Sequence, residues 1–569
     1  MSGGGSSASG SGGSSVPTPP EVEAESSYEA PIATGRFVWI ANPRSGRVAY
    51  VDASTLAVDS VEAGNAPTYV APVPGASDAV IVLNVLSQDA TYLRATSVPV
   101  AATGASAATT ATKLTSVMIP HLSPRANAWA VSADGRWALA WADVRRVAAA
   151  SLGGMLAPAD ELEGFQDVTV IDLAATPPVA TTVAVGYRPV SIAFSDDLTR
   201  AFAVTEDGVS VIALPPVAVA GAAGAAAAAA TVPKVIRDVS IDSGLSSRDA
   251  ALATDVSISS ASGVNRAIVR RDGFAEVRVV NLDTGDTVVL PLDGPATDLD
   301  VTPDGSKAVA VVRQSASVYV IPLGAEAPTP DAVVKTTIAG AIIGSVVLTA
   351  DDATAILYSN AIASDRLEVL DLATGESHEL RTHAGVLSVF PTPDSKYAVV
   401  LHRDSGTGGA GAGTGGAGTG GAGTGGAGGG SSGGGGATDL GPPPPPPRPG
   451  KAFSILPLDG SRSGRIQGTE AVPQSIGVGP ASDRVLVTIR DDAAAVYAVY
   501  VASIPSLEVQ RFALASPPTA AGVVAAAARG YVSQDHPEGR ITFIPFDGSS
   551  LRTITGFELG ARVVDGVSP

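Results

Sequence analysis

Five histidines, many carboxylates and four tryptophans are the side chains of this 569-residue chain best suited to chemistry. His121, His378, His383, His402 and His536 form no His-Glu-x-x-His or comparable metal spacing. His378 and His383 are five apart in a strand-and-turn stretch and are expected to point differently. All five read as scattered, solvent-facing residues, and a metal pair would need distant segments to converge. Asp298, Asp300 and Asp304 ahead of Gly305 have the outline of a calcium loop without its downstream Glu. Related Asp turns occur elsewhere in the chain, so a turn is the expected role here. Trp39, Trp129, Trp137 and Trp141 alternate with apolar residues and are expected in a core, a stacking platform for sugar or peptide being the alternative.

The chain has no cysteine, which removes disulfides, thiolate metal sites and a Cys nucleophile. It shows no nucleophile elbow, Walker loop or dinucleotide fingerprint. The glycines between 406 and 436 precede no helix that could offer a terminus to phosphate. Catalytic residues and metal ligands therefore stay unassigned, and no cofactor-binding residue is expected. A single divalent cation is the one cofactor left open.

The elements that would carry any site repeat along the chain. Phe37-Val38-Trp39-Ile40-Ala41-Asn42 is followed by a turn and by Arg47-Val48-Ala49-Tyr50-Val51-Asp52. The second of these strands returns as Asp167-Val168-Thr169-Val170-Ile171-Asp172, as Glu276-Val277-Arg278-Val279-Val280-Asn281 and in further copies, several 41 to 49 residues apart. A weaker copy at Thr91-Tyr92-Leu93 brings the total to ten candidates. Alternating β-branched residues favour pleated strands. The turn ahead of an apolar strand also repeats, as Ser132-Ala133-Asp134-Gly135, Ser195-Asp196-Asp197, Thr302-Pro303-Asp304-Gly305, Thr349-Ala350-Asp351-Asp352 and Thr392-Pro393-Asp394-Ser395.

Four strands per period predict an all-β fold, a β-propeller of four-stranded antiparallel blades. Rings usually hold four to eight blades, so one ring of seven or eight is expected, with some of the ten copies sharing a blade; a larger ring and two packed rings are the alternatives.

A net charge of −19 argues against a nucleic-acid groove, since phosphate binding rests on Lys and Arg. The Ala-rich stretch 217–232 has too few large apolar residues for a membrane span. Residues 1–34, rich in Ser, Gly and Pro, read as a disordered tether ahead of a propeller at 35–569. The Gly/Ala/Pro-rich segment 405–450 interrupts that body. Its flanks, His402-Arg403 and Lys451-Ala452, read as adjacent strands, which makes it an inserted loop, and Pro442 to Pro447 a short polyproline rod.

The repeat resembles the YVTN-type repeats of bacterial β-propellers, related in architecture to lactonase-like and WD-repeat propellers. Gly186-Tyr187-Arg188-Pro189-Val190-Ser191-Ile192-Ala193-Phe194-Ser195-Asp196-Asp197, after Asp167 to Asp172, carries the likeness best, and it extends over 35–556. With the tether, the chain is similar to bacterial surface lipoproteins of unknown function, whose anchoring Cys would lie upstream. The resemblance implies a non-enzymatic scaffold at the cell surface or in the periplasm that binds protein or glycan, with no nucleic acid and only a lipid anchor to the membrane. Two readings stand beside it: a lactonase-like hydrolase using channel-facing residues around a divalent cation, and an intracellular scaffold.

Loop closure costs grow only with the logarithm of length. Excising residues 407–446, and so shortening the loop from about 46 to about 6 residues, is expected to stabilise the fold by about 2 kcal/mol. Chemical denaturation of the two chains would check it, and lost folding on excision would count against a simple inserted loop.

Overall fold

The computed structural model describes residues 21, 31–100, 109–144, 166–215, 232–241, 254–404, 449–557 and 563–565. The rest of the tether, the Ala-rich stretch up to residue 231 and the Gly/Ala/Pro segment up to residue 448 lie outside the described residues.

The strands form ten antiparallel sheets, nine of four strands and one of five, each ordered as the chain runs. Blades 1 to 10 span 32–62, 67–119, 128–184, 189–239, 254–291, 298–337, 345–381, 386–468, 473–513 and 518–565. Strands at both ends of the chain complete their own sheets: Ile32–Ala33 opens blade 1, and Val563–Asp565 adds the fifth strand of blade 10. Among the described residues, no blade takes strands from both ends. Strand Pro449–Pro457 pairs directly with Tyr397–Arg403, so the 405–448 segment joins neighbouring strands of blade 8.

The blade count corrects the expectation of seven or eight. Every one of the ten repeated strand copies becomes the third strand of its own sheet, including the weak one within Asp89–Val100. The physical reason is that each copy brings its own partner strands, so no two copies share a blade. In the second strands, Ala138 and Ala140 face blade 2, Ala201 and Ala203 face blade 3, and Ala308 and Ala310 face blade 5. Such small side chains leave room at these seams for larger ones opposite.

Packing within a blade follows from its two neighbours. Second and third strands are covered on both faces and read as continuous apolar runs. Trp137–Trp141 is buried throughout, as are Val168, Thr169, Val170 and Ile171 between the ends of the next strand. Outer strands such as Val179–Ala184 have one wet face and mix exposed with covered positions. Ten apolar clusters fill the ten seams. The last of them closes the ring: Val38, Ile40 and Val51 of blade 1 pack on Tyr531, Ile541 and Phe543 of blade 10. Polar links reinforce it, with the Tyr531 hydroxyl donating to the Pro31 carbonyl at 3.0 Å and Arg529 donating to the Ala53 carbonyl at 2.6 Å.

The face carrying the turns between first and second strands is here called the lower face. There the repeated Ser/Thr-x-Asp motif forms one hydrogen-bonded unit in five blades. The hydroxyl of Ser132, Ser195, Thr302, Thr349 or Thr392 donates to the Asp two positions on at 2.5–2.7 Å. The same oxygen accepts the amide five positions on at 2.9–3.2 Å, tying the turn to the start of the second strand. Gly135 holds φ +70° in such a turn, and an added Cβ would lie 1.9 Å from the Pro74 carbonyl oxygen, so glycine alone fits.

Phe543 is fully buried at the closing seam. Phe543→Ala is expected to cost about 3–5 kcal/mol, the usual loss for a buried Phe. Denaturant unfolding would measure it, and a cost below about 1 kcal/mol would mean that this seam does not hold the ring shut.

Candidate functional site

The residues singled out from the sequence are dispersed by the fold. Asp298 is buried in strand Asp298–Val301 and accepts the amides of Leu299 at 2.8 Å and of Val346 in the next blade at 2.7 Å. Asp304 sits in the following turn, accepting the Thr302 hydroxyl and the Ser306 amide. Asp300 instead lines a cavity of about 390 Å³ among the first strands of blades 6 to 9, with Val347, Ser388, Phe390 and Val478. Asp298 and Asp304 thus serve strand and turn structure, apart from the cavity that Asp300 lines. Among the described residues, no group of three or more His, Asp or Glu side chains could hold a metal ion.

All four tryptophans are core residues, none more than 4% exposed. The Trp39 indole donates to the Thr34 hydroxyl and that of Trp129 to the Tyr69 carbonyl. The stacking platform is thus unavailable to a ligand. His121, His378 and His383 are exposed and His536 is half-buried. His402 corrects the solvent-facing expectation: it is 2% exposed, held at 2.7 Å by Ser454 Oγ and at 3.2 Å by the Gly385 carbonyl. Burial lowers its pKa, outweighing the opposing bonds to Gly385 and Ala384.

A surface concavity of about 550 Å³ lies on the lower face between blades 7 and 8. Asp371, His378, Lys396, Tyr397, Asp459 and Ser461 are among its walls. Asp371 ends the third strand Arg366–Asp371, where its carboxylate accepts the amides of Ala373 and Thr374, both at 2.8 Å. Those amides hold its pKa below the ordinary carboxylate value, the Thr374 amide foremost. Asp459 is lowered in the same way by the Ser461 amide. The terminal Asp of the repeated strand motif is therefore a turn acceptor that also shows a charged edge to the groove.

His378 joins the two walls: its Nε2 lies 2.8 Å from the Leu458 carbonyl oxygen. A carbonyl only accepts, so Nε2 carries the proton and Nδ1 is left as the acceptor. The Tyr397 hydroxyl takes a 3.0 Å bond from Arg462, and Lys396 stands at the rim with its side chain 74% exposed. This is an open, rigid-walled cleft rich in donors and acceptors around one aromatic ring. Its parts come from a third-strand end, an outer strand and a first turn. Sequence reasoning missed the groove because no single segment carries it.

Sheets, seams and turns together define a ten-bladed β-propeller. No protein-family model matches the chain, and no curated protein sequence does. Among solved structures, apo AztD from Citrobacter koseri is similar over 86% of this chain and 97% of its own, at 11% identity and a TM-score of 0.39. Dihydro-heme d1 dehydrogenase NirN in complex with DHE is similar over 88% of this chain and 76% of its own, at 13% identity and a TM-score of 0.37. Kuenenia stuttgartiensis hydrazine synthase is similar over 51% and 76%, at 14% identity and a TM-score of 0.29.

His402 also makes a pH prediction. Its folded pKa lies below the ordinary value of 6.5, so the unfolded chain binds the proton more readily. The stability that neutral His402 supports is present above pH 6.5 and is lost as pH falls through the folded pKa. Thermal midpoints measured from pH 7.5 down to pH 5 are expected to fall, and to fall less in His402→Gln. Equal slopes in the two proteins would refute the assignment.

Proposed function

We propose that this propeller is a non-catalytic binding scaffold of the bacterial cell envelope, and that the groove between blades 7 and 8 takes a glycan. The composition of that groove carries the reading. Hydroxyls, turn-held carboxylates, an ammonium and a tyrosine ring surround a cleft of about 550 Å³, the mixture of polar groups and one apolar face that a sugar presents a use for. Rigidity adds to it, because the walls are sheet ends and hydrogen-bonded turns that need little ordering on binding. No Ser–His bond lies in the groove: His378 spends its Nε2 proton on a backbone carbonyl. The envelope location rests on the likeness of the repeats to YVTN-type propellers and on the Ser/Gly-rich segment ahead of the ring.

A glycan array followed by calorimetry on the best oligosaccharide tests the site. Lys396→Glu and Tyr397→Ala are each expected to weaken binding at least about tenfold, or by about 1.4 kcal/mol. An array without a hit, or binding indifferent to both substitutions, would overturn the glycan reading. Fractionation of cells carrying the full gene is expected to return the protein with the envelope, and recovery in the cytosol would overturn that location.

A further inference from the structure

One side chain from the amino-terminal segment enters the body of the ring. Glu21 precedes the first strand, Ile32–Ala33 of blade 1, yet its side chain is only 4% exposed and lies at the seam between blades 6 and 7. The seam lies on the upper face, where second strands turn into third strands. Arg313 follows the second strand of blade 6 and donates from Nη2 to Glu21 Oε1 at 2.5 Å. The Ser359 hydroxyl, just after the second strand of blade 7, donates to the same oxygen at 2.9 Å. Glu21 Oε2 accepts the consecutive backbone amides of Asn360 and Ala361, each at 2.9 Å.

The receiving groups are held independently of Glu21. Ser359 Oγ accepts the Ile362 amide at 3.1 Å. The Asn360 side chain donates to the Leu387 carbonyl at 3.0 Å, and Arg403 donates to the Asn360 carbonyl at 3.1 Å, so blade 8 fixes the peptide whose amide points at the carboxylate. Two successive amides aimed at one point make an anion-binding nest, and the guanidinium supplies the opposite charge. Gly344 completes the fit. A Cβ there would lie 1.8 Å from Glu21 Oε1 and 2.9 Å from Arg313 Nε, so the carboxylate occupies the space that a side chain would fill.

We propose that this seam is a carboxylate-recognition site for the Glu side chain of an acidic peptide segment, and that the chain's own Glu21 fills it in cis. Both carboxylate oxygens are matched by donors, and the Glu21 side chain is the occupant the structure shows. Glu21 is thereby held on the ring at the seam opposite blade 1. An acidic partner peptide reaches the site only by displacing it. The site lies on the face opposite the groove between blades 7 and 8, and its argument is independent of the glycan reading.

The probe is a fluorescent peptide with the sequence of residues 17–25, Pro-Thr-Pro-Pro-Glu-Val-Glu-Ala-Glu, titrated against the full-length chain. Glu21→Gln vacates the site and is expected to bind the peptide at least about tenfold more tightly than the wild type, where the tethered segment competes at a high effective concentration. A Glu21→Gln/Gly344→Ala double variant is expected to lose that binding, as is a peptide carrying Gln at its position 21. Equal binding by the wild type and Glu21→Gln, no binding to Glu21→Gln, or binding that survives Gly344→Ala would each overturn the proposal. A Glu-specific protease gives a second readout needing no peptide: cleavage after Glu21 is expected to be slow in the wild type and fast in Gly344→Ala, and equal rates would also overturn it.

Discussion

The structure depends on the need of each sheet for apolar cover on both faces. Second and third strands such as Trp137–Trp141 and Asp167–Asp172 are apolar on both sides, so an isolated blade would leave one side in water. Each sheet can be satisfied only by a neighbour before it and a neighbour after it, and the first and last sheets only by each other. Ring closure is the cheapest way to meet that demand, because a linear stack would expose two apolar faces. Alanines of the second strands make room at three of these seams for the larger side chains of the facing sheet.

Polar chemistry is arranged around that constraint. The chain must reverse direction many times at the strand ends, and each reversal leaves backbone amides without a ladder partner. Short Ser, Thr and Asp side chains take up those amides locally, and in blades 5 to 9 the turns also bond to one another. Ser259 donates to the Gly305 carbonyl, Asp304 to Asp352, Asp351 to Ser395 and Asp394 to Ser482, all through groups within 3.1 Å. The many carboxylates that give the chain its negative charge are thus partly structural, which is why a search for catalytic acids among them returns turns.

Much of this architecture was legible in the sequence, because it repeats. The Val-x-Val-Ile-Asp copies correspond one for one to third strands, and the Thr-Pro-Asp-Gly family to the turns between first and second strands. The four tryptophans were readable as core from their apolar neighbours. Ring size was not legible in this way, because copies of one strand do not say whether two of them share a sheet. What repetition does not encode stayed hidden. Glu21 meets partners 292 to 340 positions away in sequence, and nothing near it marks the encounter. His402 looks like any strand-end histidine until Ser454, beyond the long insertion, closes over it.

Among the described residues no strand is traded between the first blade and the last, and this bears on how such a ring can change over time. Where a final blade is assembled from both termini, inserting or losing one repeat disturbs the join. Here each sequence copy is a complete wedge, so duplication adds a blade and deletion removes one without rewiring any sheet. The angle between neighbours need only relax from 36° (360°/10) by a few degrees to admit the change. Ring size in this architecture is thus set by the number of complete copies the chain carries.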